Sequence, residues 1–133
     1  VPGGPGAEID PGADAPSSLG VLDQAALDQL LELVGGERSL LAELIDSFLV
    51  ETPPLLSKLR QALDQGDVAG LYRVAHTLKS SCRDFGATRM ADWCEELEAM
   101  GKAGTLAGAA ELVTKVESDY DLVKVELERV RLG

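Results

Sequence analysis

From Asp23 onward the apolar residues recur at intervals of three and four, the spacing that puts them on one face of an α-helix. Asp23 is placed to cap a short helix carrying Ala26, Leu27, Leu30, Leu31 and Val34, and Gly35-Gly36 supplies a left-handed stop. A second segment, from about Arg38 to Gln65, carries Leu41, Leu44, Ile45, Phe48, Leu49, Leu55, Leu56, Leu59 and Leu63. Pro53-Pro54 falls inside it, but Phe48 and Leu55 keep one phase across the prolines, which predicts a single kinked helix rather than two.

The third segment starts at Asp67 and places Val68, Leu71, Ala75, Leu78, Cys82 and Phe85 on an inward seam. A fourth runs from about Ala87 to Met100, with Met90, Ala91, Cys94 and Leu97 inward, and is expected to end at Gly101. The fifth alternates threes and fours from Leu106 through Ala109, Val113, Val116, Tyr120, Val123 and Leu127 to Val130. No window alternates apolar and polar positions between hairpin turns, so no strand is expected. The pattern predicts an all-α fold: an antiparallel up-and-down four-helix bundle over residues 21–133, with the short first helix across one end. Residues 1–20, with four Pro, five Gly and few large apolar side chains, read as a flexible linker or an expression remnant; a natural linker would tether the bundle to a longer protein.

Composition narrows the function. The 133 residues carry 23 acidic and 12 basic side chains, a formal charge of −11, which disfavours nucleic acid and anionic membranes. No apolar run is long enough to span a membrane, and no signal peptide is visible. Cys82 and Cys94 are expected as buried thiols in a reducing, cytoplasmic setting rather than as a disulfide. One His and two Cys without a C-x2-C pair make a closed zinc site a poor expectation, so no metal is assigned to the chain. Phosphate-binding glycine loops, H-E-x-x-H and G-x-S-x-G are all missing from the sequence.

What remains is His76. It lies about 100° around the third helix from buried Ala75, which turns it toward the rim. Tyr72 and Arg73 sit on the preceding turn, Lys79 and Ser80 on the next, and Arg83 two turns on. Between residues 70 and 90 Arg73, Lys79, Arg83 and Arg89 face only Asp84, a local balance of +3 in a chain at −11. Cations around an imidazole favour its neutral, nucleophilic form and can hold an incoming phosphoryl group. The plain alternative is a half-exposed helical His on a solvated rim.

The run Ala75-His76-Thr77-Leu78-Lys79-Ser80-Ser81-Cys82, followed by Gly86-Ala87, resembles the H-x-L-K-G-S-S signature of histidine phosphotransfer (HPt) domains. Gly35-Gly36, the Phe48 phrase F-L-x-x-x-P and Leu97-Glu98 extend the likeness over about residues 22–130. Ser80 stands where the family has glycine, and Cys82 stands in place of its second serine.

The resemblance implies that His76 accepts a phosphoryl group, on Nε2, and that Lys79 stabilises it. Tyr72, Arg73, Ser80 and Arg83 would contact the partner. That partner would be the receiver domain of a response regulator or hybrid kinase, which would also bring the Mg2+. The chain itself would need no cofactor, would act as a monomer without contacting nucleic acid or membrane, and would not phosphorylate itself. The likeness points to the carboxy-terminal module of a bacterial hybrid sensor kinase, attached through residues 1–20. The competing reading is an acidic helical adaptor that docks a partner with His76 silent.

Overall fold

The computed structural model describes residues 21–133; the expected linker over 1–20 lies outside the described residues. Five helices follow in order: α1 (Gln24–Leu33), α2 (Arg38–Gln65), α3 (Val68–Asp84), α4 (Thr88–Ala103) and α5 (Ala109–Leu132). α2 through α5 form an antiparallel ring in which each packs on the next and α5 closes against α2. Ion pairs between α2 and α5 display the antiparallel register: Arg131 to Asp46 at 2.6 Å, and Arg60 to Glu117 at 2.5 Å. α1 lies against α3 and α2.

The core follows the expected seams. Ile45, Leu59, Leu71, Leu78, Met90, Leu97, Val113, Val116, Val123 and Leu127 are fully buried. Phe48 fills the centre, its ring 4.7 Å from Phe85 and 6.4 Å from Tyr120, centroid to centroid. On α2 the pattern needs one correction, because Leu44 is exposed and Thr52 is buried in its stead. The inward positions are 41, 45, 48, 52, 59 and 62, and Leu44 is rotated one residue off that line. Thr52 satisfies its buried hydroxyl by donating to the Phe48 carbonyl at 2.7 Å.

α2 is one uninterrupted helix of 28 residues through Pro53 and Pro54. Proline lacks the N–H that would reach the carbonyl four residues back, which strands the oxygen of Leu49. The Tyr120 hydroxyl on α5 donates to that oxygen at 3.4 Å. The neighbouring carbonyl, on Val50, belongs to a residue facing water.

Helix ends follow their signals in part. Asp23 Oδ1 accepts from the Ala25 N–H at 3.1 Å, and Asp67 Oδ1 accepts from Gly70 N–H at 2.9 Å. α4, however, runs past the expected stop at Gly101 and ends at Ala103, with left-handed Gly104 closing it. Gly101 serves a different purpose. A Cβ there would lie 2.8 Å from both the Val68 carbonyl oxygen and the Tyr72 nitrogen, so its bare backbone is what lets α3 and α4 approach closely. Leu106, expected at the head of the fifth helix, lies in the turn before it, half-buried against the core.

Asp119 on α5 is the one deeply buried carboxylate among the described residues, 3% exposed. Arg89 on α4 donates to its Oδ1 from two nitrogens, at 2.9 and 2.5 Å. Stranding that carboxylate by removing Arg89 would cost about 2–3 kcal/mol, the low end for a buried pair because the guanidinium is partly in water. Cys82 and Cys94 are free, buried thiols, as expected. Contact with the Cys94 thiol, and then burial, push the Cys82 thiol far above its ordinary range.

Candidate functional site

α3 presents one continuous outward stripe of Ala69, Tyr72, Arg73, His76, Lys79, Ser80 and Arg83, at helical spacings of three and four. α4 runs antiparallel beside it, and the register is set by the turn at Phe85-Gly86-Ala87. Gly86 takes φ +77°, and its carbonyl accepts the Asp23 N–H at 2.7 Å, which ties the turn to the start of α1.

The His76 ring lies at the rim, its side chain 55% exposed. Its Nδ1 is 2.8 Å from Glu98 Oε2, and the other oxygen of the same carboxylate is 2.6 Å from Lys79 Nζ. A carboxylate only accepts, so Nδ1 carries the hydrogen; in the neutral ring the lone pair is then on Nε2, the ring nitrogen that Glu98 does not hold. The Lys79 ammonium holds the Glu98 carboxyl below the usual carboxylate range; partial burial opposes this and the His76 hydrogen bond adds to it. Tyr72, one turn back, lies nearly parallel to the imidazole, the planes 13° apart and the centroids 6.2 Å apart.

The expected ring of three cations around the imidazole needs correcting. The group touching the ring is a carboxylate. Arg83 is turned away to Glu95 and, at 3.6 Å, Asp92 on α4, while Arg89 is committed to Asp119. Each of these carboxylates comes from another helix, so the local sum along α3 does not see them. Lys79 is where the sequence expects it, one turn from His76, but bound to Glu98. Arg73 is exposed and makes no ion pair among the described residues. Ser80 is exposed on the turn after His76, and its hydroxyl makes no hydrogen bond among the described residues.

Glu98 is the site residue that reading the residues of α3 alone misses. Its signal is positional: folding α4 back over the 85–87 turn brings residue 98 opposite 76 and 79. Among the described residues, no three His, Cys, Asp or Glu side chains gather into a metal site, and no helix is long and apolar enough to cross a membrane.

The chain is similar in sequence and in fold to known proteins. Over 85 residues the chain is 36% identical to the sensor histidine kinase AruS of Pseudomonas aeruginosa, a match covering 62% of this chain but only 8% of that much longer protein. It is 29% identical over 103 residues to the phosphorelay protein LuxU of Vibrio cholerae, covering 77% of this chain and 87% of LuxU. The crystal structure of histidine-containing phosphotransfer protein B (HptB) from Pseudomonas aeruginosa PAO1 superposes with a TM-score of 0.78 at 29% identity, covering 84% of this chain and 95% of HptB. Residues 43–132 match the model of the Hpt domain family, and the chain belongs to that family.

Proposed function

We propose that this chain is a phosphorelay intermediate that takes a phosphoryl group onto His76 from the phospho-aspartate of a receiver domain and returns it to another receiver. The observation that carries the reading is the shared Glu98 carboxylate, which orients His76 through Nδ1 and holds Lys79 beside it. The Nε2 lone pair forms the N–P bond as the acyl phosphate P–O bond breaks, and that electron pair leaves with the donor carboxylate. The ring becomes cationic as this happens. The Nδ1–H···Glu98 bond then becomes a pairing of unlike charges, strongest where the reaction needs it. Lys79, one turn from His76, would meet the phosphoryl oxygens by exchanging its hold on Glu98. A divalent cation held by the receiver would neutralise the remaining charge, and the HPt domain contributes a positioned nucleophile. Neither a nucleotide nor self-phosphorylation enters this scheme. The chain is proposed to act as a monomeric cytoplasmic module, with residues 1–20 as its tether.

The test is transfer of label from a receiver domain phosphorylated with acetyl phosphate. The expected product is labile to acid and stable to alkali, as an N–P bond is. Acid-stable label would overturn the assignment, and receiver binding without transfer would favour the adaptor reading instead.

Glu98→Gln should slow transfer roughly tenfold while the bundle stays folded, because an amide offers one neutral acceptor where the carboxylate serves two partners. Equal single-turnover rates for the two proteins would remove Glu98 from the mechanism. The same residue sets a pH dependence. A folded carboxyl held below its ordinary value of 4.5 adds stability that is complete above that value and is lost as pH falls through the depressed folded one. Acid unfolding followed by circular dichroism should therefore show the wild type losing stability below about pH 4.5 more steeply than Glu98→Gln.

A further inference from the structure

Along the seam between α3 and α4 the charge changes sign of outcome from one turn to the next. Opposite Arg83, α4 presents Glu95; opposite Lys79 and His76 it presents Glu98. One turn further along it presents Gly101 and Lys102 instead, with no carboxylate. The positive charge of the α3 stripe is therefore neutralised on the Arg83 side of His76. It survives on the other side, where Arg73 and Lys102 are both exposed and neither makes an ion pair among the described residues.

Between these two cations lies a cleft of about 400 Å³ lined by Ala69, Tyr72, Arg73, Gly101 and Lys102. Its floor is the methyl of Ala69, the Tyr72 ring and the bare backbone of Gly101. The close approach of α3 and α4 at this glycine places the cleft one turn from the imidazole. In a chain of net charge −11, an apolar hollow rimmed by two unneutralised cations complements an apolar side chain flanked by carboxylates.

We propose that this cleft is the docking subsite that recognises the receiver domain, with Arg73 and Lys102 as the residues that set specificity and Tyr72 as the apolar contact. The proposal rests on the phosphotransfer reading. The occupant is argued from charge. A donor that holds a divalent cation beside its phospho-aspartate must surround it with carboxylates, and an acidic face approaching His76 meets its complement on the Lys102 side. The Arg83 side offers it Glu95 and Asp92, which repel it. Recognition is thus displaced from the midpoint of the +3 stretch toward a residue, Lys102, that lies on a different helix.

The experiment measures single-turnover transfer from an acetyl-phosphate-charged receiver domain as a function of receiver concentration at low salt. In parallel, the small donor phosphoramidate labels His76 without docking. Arg73→Glu and Lys102→Glu should each raise the receiver concentration for half-maximal rate at least tenfold, and Tyr72→Ala should do the same. Phosphoramidate labelling should be unchanged in the two charge variants, neither of which touches the imidazole. Lys124→Glu, the same charge change on the far face of α5, should stay within twofold of wild type.

A Lys102→Glu shift no larger than that of Lys124→Glu would overturn the proposal. So would a parallel loss of phosphoramidate labelling, which would make these residues part of the geometry at His76 rather than of docking. Failure of the underlying reading looks different: the wild type itself would take no label from any receiver tried, and the docking subsite would fall with it.

Discussion

Replacing His76 by Gln is expected to abolish phosphoryl uptake from both a receiver and phosphoramidate, while leaving the helical circular dichroism spectrum and the melting temperature close to wild type. The reasoning separates chemistry from support. His76 is more than half exposed and contributes no apolar core contact, so its loss should change stability within about 0.5 kcal/mol. Gln keeps a polar group of similar reach and can still hydrogen-bond Glu98. It offers no ring nitrogen with a lone pair, and an amide nitrogen is not a substitute nucleophile. The described residues include no second histidine, and Lys79 is held in an ion pair, so no bypass is at hand. The effect is a loss of several orders of magnitude with no structural cost. Residual acid-labile label on His76→Gln would remove His76 from the role of acceptor.

The second large effect is structural and lies away from the site. Gly86→Ala should destabilise the bundle by about 3 kcal/mol, and most of that follows from backbone geometry. Gly86 sits at φ +77°, where an L side chain costs about 1–2 kcal/mol. A Cβ would also lie 2.7 Å from the Asp23 carbonyl oxygen and 2.9 Å from its nitrogen, atoms of the α1 start that cannot swing away as a flexible side chain would. Relieving the clash means breaking the Asp23 N–H to Gly86 carbonyl bond, which is what anchors α1 to the α3–α4 turn. Urea unfolding of Gly86→Ala at neutral pH checks the figure. A loss below about 1 kcal/mol would mean that the turn tolerates a side chain and that α1 is not held there.

The Gly-Ala pair of the family signature thereby acquires a physical meaning. Glycine supplies the positive φ and the close approach, and Ala87 is fully buried behind it. From the sequence the pair is visible only as a pattern.

That contrast runs through the whole molecule. Helix positions and most of the core were legible because each depends on periodicity within one segment, and a seam such as Leu71-Ala75-Leu78-Cys82 needs no knowledge of its neighbours. The details that escaped are relations between segments. Gly101 reads as a stop signal along the chain, yet its function is to face Val68 and Tyr72 across the seam. Thr52 reads as polar, and only its bond to the carbonyl one turn back makes it a core residue. Asp119 falls beside the inward Tyr120, but nothing in α5 alone names Arg89 as its partner.

The candidate site divides in the same way. His76 and Lys79 share a helix, and their spacing is enough to pick them out. Glu98 and Lys102 belong to α4, where one turn neutralises the stripe and the next spares it. The +3 balance along residues 70–90 was therefore correct as arithmetic but misplaced as a field, since Glu95, Asp92, Glu98 and Asp119 all approach from outside that stretch.

The two prolines in α2 have a consequence for how the bundle is held together. Where residues 53 and 54 pass, the helix has no hydrogen bond of its own to close, and the freed Leu49 oxygen is met by a hydroxyl from α5, the fifth helix in chain order. A 28-residue helix would ordinarily be the chain's best nucleus, long enough to persist while it waits for partners. Here the bond that its middle lacks is made with a residue 71 positions away. The middle of the longest helix is thereby tied to the closure of the ring, and a change at Tyr120 on α5 bears on the backbone of α2.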